Sequence, residues 1–138
     1  MIEPTLALQK AIRATLLASL AVTALVPNAD NIRAGGSRPD ETPTIIMSDG
    51  HTVMHGQDYT SQRGAWVNLD LHCWTLDAGE EGAKSIAFAV MTALDKALTI
   101  DGAVCDHFRV TNSVYPRDPD PRYGHGVVSV EALIRWIV

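Results

Sequence analysis

Cysteine is scarce in this 138-residue chain, with two in all, and aromatic residues make up only 6%. Two thiols cannot build the disulfide framework of a small secreted domain, so Cys73 and Cys105, both in strand-like segments, are expected as reduced core residues. Basic charge is short as well: 11 Lys and Arg against 16 Asp and Glu leave a net charge of -5. That sign is wrong for a protein that grips phosphate backbones by releasing counterions. It is compatible with a passage whose wall repels DNA.

No apolar run reaches the roughly 20 residues that cross a bilayer. Residues 15–26 (TLLASLAVTALV) follow Lys10 and Arg13 and loosely imitate a cleaved leader. Glu3 weakens the basic part, however, and no small-x-small cleavage site follows Pro27, so neither a leader nor a membrane span is expected. A phosphate loop is missing too, because Gly35-Gly36 follows no strand and opens no helix.

What is present suits one globular domain over residues 1–138: 46% hydrophobic and 20% charged residues are ordinary values, and the length allows one core. Pro4 suits a first helical turn, and Leu8, Ala11, Ile12, Thr15, Leu16 and Ser19 follow at helical spacing, predicting an amphipathic helix over 4–18. Ser19 can cap a short second turn to about Leu25, which Pro27 and Asn28 stop. Residues 30–43 and 48–64 are polar and carry glycine, and both are expected as flexible loops on either side of a short strand at 44–47.

Residues 66–76 alternate, with Val67, Leu69, Leu71 and Cys73 on one side and Trp66, Asn68, Asp70, His72 and Trp74 on the other. A helix opened by Asp77, Gly79 and Glu80 should follow, with Ala83, Ile86, Ala87, Val90, Met91, Leu94 and Leu98 on its apolar stripe. Val104, Asp106, Phe108, Val110, Asn112 and Val114 alternate with Cys105, His107, Arg109 and Thr111, predicting a strand. The run RDPDPRYGHG at 117–126 connects it to a last strand over 127–138. The expected fold class is α+β: a mainly antiparallel sheet of about four strands with two main helices packed on one face.

His51 and His55 stand four apart, a ligand spacing on a helix, but they flank Gly50 and Gly56 in a segment that does not read as one. Together with His72 they define the rival expectation of a small metal-dependent hydrolase. A nucleophilic pair of Cys73 or Cys105 with a histidine is disfavoured, because a thiol on an apolar strand face is ordinarily inert. Asp118 and Asp120 lie between Arg117 and Arg122, where ion pairing and turn formation explain them as well as catalysis does. Trp66 and Trp74 flank a polar strand face, an arrangement that marks either a contact surface or a cover for the sheet.

Taken together, the segments LALQKAIRATL, TALV, VNLDLHCW, EEGAKSIAFAVMTALDKAL and VYPRDPDPRYGHGVVSVEALI resemble the tail completion or tail terminator proteins of long-tailed phages, prophages and gene transfer agents. Residues 30–43 match least. The resemblance implies a structural virion protein and no enzyme, with no cofactor and no catalytic or metal residue. It would form a ring, typically hexameric, on the head-proximal end of the tail tube at the head-tail junction. Its implied partners are itself, the major tail tube protein and the head-tail connector or stopper, with DNA passing through the lumen unread. Assembly would take place in the bacterial host cytoplasm. A head-tail stopper or a minor tail subunit is the nearest alternative. Trp66, Trp74, Arg117, Asp118, Asp120, Arg122 and His125 are the expected subunit or connector contacts.

Overall fold

Glu3 opens the first helix, its carboxylate accepting from the backbone N–H groups of Thr5 (3.1 Å) and Leu6 (2.9 Å). Pro4 follows at the first helical position, where its missing N–H costs nothing. Helix α1 (Pro4–Leu17) buries Ala7, Leu8, Ile12 and Leu16 along one stripe. Ser19 then caps α2 (Leu20–Leu25) by accepting from Val22 N at 3.3 Å, as its sequence position suggested. The computed structural model describes residues 2–36, 38–56, 59–77 and 80–138.

Among the described residues, six strands make up a single sheet: β1 (Ile32–Ala34), β2 (Thr44–Met47), β3 (His51–His55), β4 (Gln62–Thr75), β5 (Val104–Val114) and β6 (Gly124–Ile137). The order across it is β1-β2-β4-β6-β5, with β3 also pairing β4. Pair β1-β2 is parallel and all other pairs are antiparallel. The expectation of about four strands is therefore corrected to six, and the sheet is mixed.

Both extra strands lie in segments expected as loops. Within 30–43, Ile32 is fully buried beside β2, and Arg13 of α1 donates from Nε to Ile32 O at 2.7 Å, tying this short edge strand to the helix. Within 48–64, β3 pairs with the first half of β4 from His51↔Asn68 to His55↔Gly64. Backbone pairing holds this mostly exposed strand in place, and backbone pairing leaves no side-chain period to read. Of these two segments, Ser37, Gln57 and Asp58 lie outside the described residues.

Helix α3 (Glu81–Ala93) follows β4, with Asp77 Oδ2 accepting from Gly82 N at 2.8 Å near its start. Gly79, expected to help open it, lies outside the described residues. The helix ends at Ala93 rather than running on to Leu98, although Leu94 and Leu98 are still buried in the core. The buried side chains of α1, α2 and α3 join one cluster with Val67, Leu69, Leu71 and Cys73 of β4 and Val128, Val130, Ala132 and Ile134 of β6. The helices thus cover one face: among the described residues they are the two main helices expected, α1 and α3, and the short α2 capped by Ser19. Cys73 sits fully buried in that cluster, and burial pushes its thiol up to about 12. Cys105 is half-buried and its thiol is also raised.

Strand β5 departs from simple alternation. Its register with β6 shifts between Cys105 and His107 and again between Val110 and Asn112. Each bulge inserts one residue and reverses the faces of those beyond it. Cys105, Phe108 and Val110 consequently pack on the core, although Cys105 was expected on the opposite side, while Val104 and Val114, expected on the side of Phe108 and Val110, are exposed.

Candidate functional site

The sheet face opposite the helices carries the even-numbered residues of β4. At one end, register sets Trp74 directly across from His125, with His72 two pairs further along, on the same face, opposite Val127. Cross-strand and diagonal neighbours of this kind come within side-chain reach. The Trp74 and His125 rings stack with centres 3.9 Å apart and planes 5° from parallel. His72 Nδ1 and His125 Nε2 share a hydrogen bond of 2.8 Å. Burial lowers the pKa of both imidazoles, that of His125 to about 4, with the neighbouring His72 adding to the effect.

The loop that leads into β6 packs on this stack. Tyr123 meets Trp74 edge-on at 6.2 Å, and the Arg38 guanidinium lies 4.9 Å over the Tyr123 ring. Arg38 Nη1 also lies 3.3 Å from Asp118 and 3.6 Å from Asp120. Asp118 accepts from Asp120 N at 2.9 Å, and Asp120 accepts from Arg122 N at 3.0 Å and from Arg122 Nη2 at 2.7 Å. The Arg122 hydrogen bonds hold the Asp120 carboxyl down at about 2. Arg117 is exposed on the same loop.

Trp66 lies at the other end of the strand. At ~3.4 Å per residue, the eight residue steps from it to Trp74 correspond to about 27 Å, so the two tryptophans belong to separate patches. Trp66 is half-buried and meets the His107 ring edge-on at 5.5 Å. Around it, Glu131 Oε1 accepts from Arg109 Nε at 2.7 Å and lies 3.3 Å from His107 Nε2, while Arg135 holds Asp106 through two contacts of 2.9 and 3.0 Å.

Of the seven residues singled out from the sequence, Trp74, Asp118, Asp120, Arg122 and His125 gather at one end of this face, and Trp66 stands alone at the other. Sequence reasoning missed Arg38 and Tyr123 as members of the cluster. Arg38 lies in a stretch without periodicity, and only the return of the chain over the sheet brings it near Asp118.

The rival metal site does not assemble. His51 and His55 lie on strand β3, where four residues span about 13 Å, too far to share one ion. His72 is engaged with His125 instead. Among the described residues, no group of three or more His, Cys, Asp or Glu could hold a metal ion.

A search of curated proteins returned no match. Among solved structures, a chain from the virion of a native gene transfer agent particle has the same fold, with a TM-score of 0.79 and 21% identity over 94% of this chain and 95% of that one. The family model for tail completion protein gp17 matches residues 10–135. On that match, the chain belongs to the tail completion gp17 family of phage tail structural proteins.

Proposed function

We propose that this chain assembles into a hexameric ring on the head-proximal end of the tail tube, where it ends tail growth and joins the tail to the head connector. The single observation that carries the reading is the family match over residues 10–135. The fold shared with a chain of a gene transfer agent virion supports a place in a virion particle; the head-tail junction is where this reading puts it. A head-to-tail contact that closes on itself ends growth, whereas the same contact left open propagates a filament.

Its partners in this reading are further copies of itself, the major tail tube protein and the connector or stopper protein. DNA crosses the lumen without being read. The net charge of -5 disfavours a grip on phosphate, and Arg38, Arg109, Arg122 and Arg135 are engaged with carboxylates. Trp66, Arg117 and the 117–125 loop supply subunit or connector contacts.

The decisive experiment is electron microscopy of particles from a producer strain lacking this gene. Overlong or frayed tails without heads, beside tailless filled heads, are expected; normal joined particles would sink the proposal. The double substitution Arg117→Ala and Arg122→Ala should impair joining while leaving the fold intact.

A further inference from the structure

The fold leaves two opposite sheet edges without a strand partner among the described residues. One is the outer edge of β5, and the other is formed by β1 and β3. Unpaired N–H and C=O groups along such edges are a template for adding another strand. On β5 the register shifts leave four regularly paired residues, 107–110, against the five residues of β3.

Strand direction is compatible as well. Strands β3 and β6 both run antiparallel to β4, and β5 runs antiparallel to β6, so β3 and β5 point in opposite directions. Rotation about an axis parallel to the strands preserves those directions. The β3 edge of a rotated copy therefore meets β5 in antiparallel sense, and the sheet continues from one copy to the next.

Side chains at the two edges also match. Phe88 and Met91 of α3, with Phe108 and Val110 of β5, line a hollow of about 500 Å³ on the helix side of the sheet. Phe88 is 69% exposed there, large for a phenylalanine with nothing against it. At the opposite edge Met54 is 44% and Val53 49% exposed. Met54 pairs with core residue Ala65, so it too points to the helix side, as do Phe108 and Val110 opposite Ala132 and Val130. Setting Met54 against Phe108 places Val53 beside Arg109 and Thr52 beside Val110. The thioether then lies against two aromatic rings, a contact that methionine favours.

We infer that β5 of one copy takes up β3 of the next, seating Met54 in the hollow beside Phe88 and Phe108. The occupant is a second copy of this chain, because both halves of the contact are built into one subunit at opposite edges, as a heterologous ring requires. This inference rests on the ring reading above.

The test places Val53→Cys and Arg109→Cys in one chain, with Cys105→Ser to remove the half-buried thiol, and expresses it in a producer strain lacking the wild-type gene. Mild oxidation of its particles should yield a ladder of covalent multimers on denaturing gels, and each single-cysteine chain should stay monomeric. Dimers from Val53→Cys alone would mean a two-fold contact and overturn the inference. Rings seen by microscopy without a ladder would overturn the edge pairing and leave the ring reading standing; wild-type particles without a ring would overturn both. Independently, Phe88→Asp at this exposed position should leave the melting temperature unchanged and cut incorporation into particles by more than about tenfold. Incorporation at the wild-type level would overturn the inference.

Discussion

His72 Nδ1 and His125 Nε2 lie 2.8 Å apart, and their ring centres are 5.1 Å apart with planes 21° from parallel. The rings therefore sit side by side with nitrogens aimed at each other, unlike the face-to-face packing of Trp74 on His125 at 3.9 Å. One imidazole donates and the other accepts, an arrangement that a proton on both would break.

That relationship sets a pH dependence. The folded pKa of His125, about 4, lies below its ordinary 6.5 because burial and the adjacent His72 disfavour its charge, while Asp118 acts the other way. Asp70 likewise opposes the lowering of His72. As pH falls from 6.5 to about 4, the unfolded chain binds a proton that the folded chain refuses, so stability falls through this window. Melting temperatures across it should drop in the wild type and drop less in His125→Phe, which keeps an aromatic ring against Trp74 without titrating. Identical profiles would reject the role given to the pair.

Asp120 follows the opposite rule. Its carboxyl is held at about 2 by Arg122, so the stabilisation is present above the ordinary 3.8 and is lost as pH falls towards 2. Carboxyl titration by NMR should show Asp120 rising towards 3.8 in Arg122→Ala. Unfolding at neutral pH should change little, since solvent screens an exposed ion pair.

Leu71 of β4 is fully buried between the sheet and the helices. Leu71→Ala should cost about 2–5 kcal/mol in chemical denaturation through lost burial and an unfilled cavity. Asn68→Ala, on the exposed face of the same strand, should stay within about 0.5 kcal/mol.

Gly124 is a test of close packing where β6 begins. A Cβ there would lie 2.5 Å from Thr75 Oγ1 and 3.1 Å from the Asp77 backbone oxygen. Gly124→Ala should therefore destabilise the protein by roughly 1–3 kcal/mol, measured by the same denaturation. A neutral result would mean that the 75–77 turn moves aside freely.

Periodic burial accounts for what could be read from the chain in advance. Helices α1 and α3 and the alternation of β4 leave a repeat in the sequence because each buries one stripe or face, and Val67, Leu69, Leu71 and Cys73 all lie in the core as that repeat required. Strands β1 and β3 leave almost no such repeat, since one is three residues long and the other is mostly exposed. The β5 bulges were equally silent: inserting one residue at Asp106 and another at Thr111 changes which side chains face the core without altering the β-forming composition.

The same division runs through the candidate site. The sequence by itself determined an α+β chain, the polar face of β4 and a charged loop with turn-forming Asp and Pro residues, because these depend on local spacing and local hydrogen bonds. Only the tertiary structure decided that Trp74 lies beneath its own chain's loop. It also decided that His72 meets His125 and that Arg38 reaches Asp118 across 80 residues of chain. Those contacts depend on the β4-β6 register and on the return of a distant loop, and no local pattern encodes either.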